Sequence, residues 1–243
     1  MSTAVLPQIP RDEAMALAAT EYDRWLELLR SLSADEWATP TECPGWDVRT
    51  MASHVLGAAE AHASLRETVH VAWSARRTGP TFVDGMTATQ VRDRAALTPA
   101  DVLARFERAA PASVRARRRI PGIVRSRSFH EDTADERWAL AYLLDVIFTR
   151  DAWMHRIDIA RATGRGPMLS ASHDGRIVAD VVNEWAARHG QPFHLVLDGP
   201  AGGEFAWRAT GAGHVLHLDA VEFCRTIGGR AEGDGLLRTQ VPF

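Results

Sequence analysis

The sequence predicts an α+β protein in which an N-terminal four-helix bundle, residues 1–166, is followed by a small α+β domain, residues 167–243. Two observations predict it. Apolar residues recur at helical spacing through most of the first two thirds of the chain. After Gly166 the pattern changes to a helix and then short alternating segments separated by Gly and Pro. At 243 residues and 46% hydrophobic content, the chain can bury a full core in one large domain or two small ones.

The first helix is predicted from Asp12 to Leu32, where Met15, Leu17, Ala18, Tyr22, Trp25, Leu26 and Leu29 form one apolar stripe. A loop punctuated by Pro40 and Pro44 follows. The second helix begins near Asp47, whose side chain can cap free N–H groups, and runs through Arg77 until Gly79 and Pro80 break it. Pro99 opens a third helix carrying Asp101, Leu103, Phe106 and Ala110. From Arg115 to Asp132 the chain reads as a basic loop, and from Asp135 to Thr163 as a long fourth helix closed by Gly164. Short loops between four such helices imply a bundle. In the second domain, residues 169–190 form a helix, "FHLVLDG", "GEFAWRATG" and "GHVLHLD" are strands, and "AVEFCRTIGGR" is a final helix.

Composition narrows the function classes. The net charge of -3 supplies no general basic field, so nucleic acid is not expected as a partner. The sequence holds no stretch of about 18 apolar residues and no basic segment leading into an apolar core at its start, so a cytoplasmic protein without membrane partners is expected. Cys43 and Cys224 lie far apart with no CxxC pair, which argues against a disulfide framework. All 28 basic residues are arginine, a bias that fits a GC-rich genome.

The stretch "TRDAWMHRIDIA", residues 149–160, carries chemistry on an apolar helix. Residues four apart share a helix face, so Asp151 and His155 can point at one ion. His54, among Met51, Ala52, Val55 and Leu56 on the second helix, offers a third ligand, and a bundle brings such residues together inside it. Two imidazoles and a carboxylate leave room for water or substrate on a divalent ion and have the composition of catalytic rather than structural zinc sites, and iron, nickel or manganese suit the same donors. The competing reading is a chance pair beside an ordinary core histidine. Asp158 is either a partner orienting a ligand or half of an ion pair with Arg161. The arginines from Arg115 to Arg127 form a positive rim, a local nucleic-acid patch or, as the preferred reading, a solvated helix end and loop. Cys43 and Cys224 are read as packing residues.

Three segments in order, "CPGWDVRTMASHVLG", "LLDVIFTRDAWMHRIDIARATG" and "AVEFCRTIGGR", resemble the mycothiol-dependent maleylpyruvate isomerase family, and the resemblance covers nearly the whole chain. It implies that the N-terminal part is a DinB-like metal-binding four-helix bundle. The family's metal triad falls on His54, Asp151 and His155, and its functional arginine on Arg230. Asp151 stands where the isomerase has glutamate, one methylene longer. Implied cofactors are a divalent metal, zinc foremost, and mycothiol as thiol cosubstrate. The implied reaction is cis to trans isomerisation of a keto dicarboxylate, in which thiolate adds to the alkene, the bond rotates and elimination restores the double bond. Thiol transfer to another electrophile uses the same parts. Arg230 is then expected to contact an anionic group of substrate or cofactor across the domain seam, although a cation after the Gly228–Gly229 pair also suits a helix C-terminus. Against this enzyme stand a non-catalytic metal- or ligand-binding protein and a partner of a transcription factor.

Overall fold

Residues 8–132, 134–208 and 213–243 are described by the computed structural model, and they divide after Pro167 into two units. The protein is of the α+β class, helical in its first part with small sheets besides. Among the described residues, no helix is long and apolar enough to cross a membrane.

In the first unit, α1 (Arg11–Ser31) buries the stripe read from the sequence, with Trp25 and Met15 fully enclosed. A 3-10 turn at Glu36–Ala38 leads into the loop before α2 (Val48–Ala63). Asp47 caps α2 as expected, accepting from the Thr50 N–H at 2.7 Å. α5 (Pro99–Arg119) starts with Pro at its first turn and a reciprocal capping box between Thr98 and Asp101. α8 (Phe148–Ala162) completes the bundle formed by α1, α2, α5 and α8, whose core holds Tyr22, Trp25, Met51, Leu56, Phe106 and Ile159. Two buried links fix α8 against α1. Trp25 Nε1 donates to the Ala152 carbonyl at 2.7 Å, and Arg156 Nε donates to Glu21 at 2.6 Å.

The predicted second helix is two helices. Ser64 leaves the helical region (φ -138°, ψ 118°), ends α2 and caps α3 (Leu65–Thr78), accepting from the Glu67 N–H. Serine does this at little cost because its hydroxyl replaces a helical donor–acceptor partner. A helix absent from the sequence reading, α4 (Phe82–Arg92), packs on α3. Gly85 permits that packing, since a Cβ there would lie 2.0 Å from the Ala75 carbonyl oxygen. Gly85→Ala is therefore expected to destabilise by about 1–3 kcal/mol or more, the cost of overpacking against an unyielding backbone, measured as a lower urea midpoint. Arg94, buried beyond α4, donates to Glu60 of α2 and Glu67 of α3 and ties the three helices together.

The basic stretch also departs from expectation. Residues 115–119 are the last turn of α5, and Gly122–Arg125 form a short α6. Arg117 and Arg125 are buried rather than solvated, because Arg117 donates to the Leu144 carbonyl and Arg125 pairs with Asp145. Residues 128–139, read as loop and helix, form an antiparallel hairpin of β1 (Ser128–Glu131) and β2 (Glu136–Ala139), with Phe129 opposite Trp138. The fourth helix consequently starts only at α7 (Leu140–Tyr142) and passes through a π turn at Leu143–Ile147 before α8.

In the second unit, α9 (Asp174–His189) packs Trp185 against Phe193 and Phe223. β3 (Phe193–Asp198) is the central strand, antiparallel to β4 (Gly203–Trp207) and parallel to β5 (His214–Asp219). Phe193, Leu195 and Leu197 alternate inward. The end of the second predicted strand, residues 209–211, lies outside the described residues. α10 (Ala220–Ile227) is capped by Asp219 and ends in a Schellman motif: Gly229 takes φ +79°, and the Arg230 N–H donates to the Arg225 carbonyl at 2.9 Å.

Candidate metal centre

Ligand-capable side chains converge where α2 faces α8. His54 comes from α2, six residues past its N-terminus, and Asp151 and His155 stand one turn apart on α8. His54 Nε2 lies 3.3 Å from Asp151 Oδ2, and His155 Nε2 lies 3.3 Å from Asp151 Oδ1. One donor atom from each residue falls within 4.8 Å of the others. The two imidazoles meet edge to face at 5.4 Å, so their Nε2 atoms converge on the carboxylate between them. Both histidines are about nine-tenths enclosed, while the Asp151 side chain keeps 25% exposure, which leaves one approach open.

The electrostatics suit a cation. Burial alone would raise the Asp151 pKa, but the charges of His155 and His54 and their hydrogen bonds override it and hold the carboxyl well below the usual range. Burial likewise would lower His155, yet Asp151, together with the hydrogen bonds the ring makes to Asp158 and Cys43, pushes it well above an ordinary histidine. An anionic carboxylate thus holds positive charge between two rings. A divalent ion would take the place of that proton charge, and the two-histidine, one-carboxylate donor set fits zinc or a similar metal.

The surroundings fix the ligands. Asp158 is fully buried and its Oδ2 lies 3.2 Å from His155 Nδ1, on the ring edge away from Asp151. Of the two sequence readings of Asp158, the geometry favours the orienting one. Asp158→Asn is expected to weaken metal affinity by about ten- to a hundredfold while leaving the fold intact, measured by chelator competition. Cys43 Sγ sits 3.8 Å from the same carboxylate oxygen, a position that sequence separation concealed.

Trp46 forms a wall over the site, 5.4 Å from His54 and 5.8 Å from His155 between ring centroids. The turn Cys43–Pro44–Gly45–Trp46 places it. Proline occupies the second position, Gly45 takes φ +79° at the third, and the Trp46 N–H donates to the Cys43 carbonyl. The Pro-Gly pair marked a turn in the sequence, but nothing there tied its tryptophan to the histidines.

The other expected site residue, Arg230, follows α10 in the second unit and is half-buried. Its backbone, rather than its side chain, makes the described helix-closing contact. Of the remaining histidines, His130, His214 and His217 are exposed on strands, His217 pairing with Asp198 at 2.8 Å.

Comparison with known proteins adds a lineage. Residues 18–160 match the model of the mycothiol maleylpyruvate isomerase N-terminal domain family. Two uncharacterized proteins of Mycobacterium tuberculosis, from strains CDC 1551 / Oshkosh and ATCC 25618 / H37Rv, are 27% identical over 222 residues, covering 84% of this chain and 80% of theirs. Crystal structures of the mycothiol-dependent maleylpyruvate isomerase share the fold. One superposes with TM-score 0.58 at 19% identity over 93% of this chain and 92% of that one. A histidine-to-alanine variant of it gives TM-score 0.58 at 18% identity, over 92% and 90%.

Proposed function

Because this chain belongs to the mycothiol maleylpyruvate isomerase N-terminal domain family, we propose that it is a metal-dependent enzyme that uses mycothiol as a thiol cosubstrate. It acts on an electrophilic, anionic small molecule by cis–trans isomerisation or by thiol transfer. The observation that carries this reading is the convergence of His54, Asp151 and His155 on one point at the α2–α8 seam, with Asp151 open on one side.

In this reading, those three residues would hold the ion, zinc foremost. Such an ion would supply Lewis acidity, which favours the thiolate form of a thiol. Asp158 keeps His155 in the tautomer that presents Nε2. Trp46 narrows the entrance and keeps water from one side of the site. Arg230 is assigned an anion contact, by analogy with the family's functional arginine. The reading keeps residues 1–166 as the metal-binding domain and 167–243 as the small α+β domain.

The test measures loss of maleylpyruvate absorbance, and disappearance of free thiol with other electrophiles, using metal-loaded protein with and without mycothiol. Thiol-dependent turnover that falls in Arg230→Ala with metal content unchanged supports the proposal. Stoichiometric metal without turnover on any thiol acceptor would instead identify a non-catalytic metal-binding protein.

A further inference from the structure

The break at Ser64 does more than divide two helices. Between the helix ends it creates and the middle of α5 lies a cleft of about 610 Å³, within the size range of small-molecule sites. To its lining α2 contributes Glu60, α3 contributes Arg66 and Glu67, and α5 contributes Arg105 and Arg108. The cleft is separate from the metal triad. Glu60 follows His54 by six residues, which places it about 120° around α2 from that ligand and toward α5, whose Arg105 it holds.

The carboxylates of the lining are already engaged. Glu60 accepts from Arg105 Nε and Nη2, both at 2.7 Å, and from Arg94 Nε at 2.9 Å and Nη2 at 2.6 Å. Glu67 accepts from the same Arg94 at 2.8 Å. Arg94 is 1% exposed, so these bonds make a fixed floor rather than a solvated surface pair. His70, also on the lining, is held by Asp93 at 2.7 Å. The side chains of Arg66 and Arg108, by contrast, make no ion pair or hydrogen bond with any described residue. Four guanidinium groups thus meet two carboxylates, and the excess of two positive charges sits on the two exposed arginines. The first turn of α3 adds to the same potential. The N–H groups of Leu65 and Arg66 precede any intrahelical acceptor, and Ser64 Oγ caps only that of Glu67.

We propose that this cleft binds an organic phosphate monoester, with Arg66 and Arg108 holding the phosphate and Ala63, Ala109 and Ala112 bordering the organic body. Two unpaired guanidiniums match the roughly two negative charges and three acceptor oxygens of a phosphate monoester, whereas a carboxylate would answer only one of them. The alanines keep long side chains off that part of the wall, so the cleft has room beyond the phosphate itself. The assignment goes beyond the enzyme reading and stands whether or not the triad holds an ion.

The test uses the full chain at about 0.15 M salt, where attraction between distant exposed charges is largely screened. Calorimetric titrations with AMP, glucose 6-phosphate and glycerol 3-phosphate are compared with titrations by adenosine, glucose and glycerol. At least one monoester is expected to bind about tenfold or more tightly than its parent alcohol. Arg66→Ala and Arg108→Ala should each reduce that preference severalfold, and the double variant should erase it. Arg238→Ala, the same loss of charge in the second unit, should leave it unchanged. Arg66 and Arg108 are exposed, so these variants are expected to keep the urea midpoint of the parent. In crystals soaked in tungstate, a dianion of similar shape to phosphate, an anomalous peak is expected within hydrogen-bond distance of Arg66 or Arg108. The proposal fails if no monoester outbinds its parent, if the preference survives the double variant, or if tungstate does not bind there. A single-stranded oligonucleotide without a terminal phosphate that binds through the same arginines as tightly as the best monoester would also overturn it, in favour of a diester backbone.

Discussion

His54→Ala is expected to reduce bound divalent metal from about one ion per chain to a small fraction of that, read by elemental analysis after exhaustive dialysis. His54 is one of only three side chains in the proposed ligand set and the only one from α2. Losing even an outer partner costs about ten- to a hundredfold in affinity, so losing a ligand should cost more than that. A variant that retains full metal content would show that position 54 does not bind the ion. The pH dependence has a definite sign. In the metal-free site, His155 keeps its proton to a higher pH than an ordinary histidine, because Asp151 outweighs the effect of burial. Metal must displace that proton, so affinity should fall as pH is lowered through the raised value, with chelator competition following the loss. Asp151 adds no competing proton over that range, since its pKa is held low.

Glu21→Gln is expected to cost about 1.5–3 kcal/mol of folding stability, measured by urea denaturation, because it removes the buried carboxylate charge that accepts from the Arg156 guanidinium. Glu21 is fully enclosed on α1, and it accepts from Arg156 at 2.6 and 3.2 Å. Arg156 directly follows His155, so this pair also fixes the rotation of α8 about its axis. Metal affinity should fall together with stability. A double change, Glu21→Gln with Arg156→Met, removes both charges and should recover part of the loss. If the single variant unfolds at the same urea concentration as the parent, the pair does not hold α1 to α8.

Legibility in the sequence followed the range of the forces involved. The α1 stripe, the Asp47 cap and the Thr98–Pro99–Asp101 start of α5 are local signals, and each stands where the sequence put it. The break at Ser64 was invisible because serine is tolerated inside a helix and becomes a cap only where packing requires a turn. α4 was missed because "FVDGMTATQVR" carries Gly85 and two threonines, all poor helix formers; the close approach of Gly85 to α3 outweighs that propensity. The hairpin at residues 128–139 was hidden by its strands of only four residues beside a basic run. At the site, the Asp151–His155 spacing and the apolar setting of His54 could be read from the sequence. The wall formed by Trp46 and the placement of Cys43 depend on contacts across more than a hundred residues. Arg117 and Arg125 misled for a related reason. An arginine run looks solvated until the carbonyl and the carboxylate that bury two of its members come from another segment.

The π turn at Leu143–Ile147 bears on which insertions and deletions the chain can absorb. A π turn accommodates one residue more than an α-helix would use over the same rise. Deleting a single residue within Leu143–Ile147 should let that span relax into regular helix with both flanks still in register. The same deletion between Asp151 and His155 would change their separation from four to three and rotate one group out of line with the other. Length variation among homologues is therefore expected to collect ahead of Phe148 and to avoid the turn that follows it.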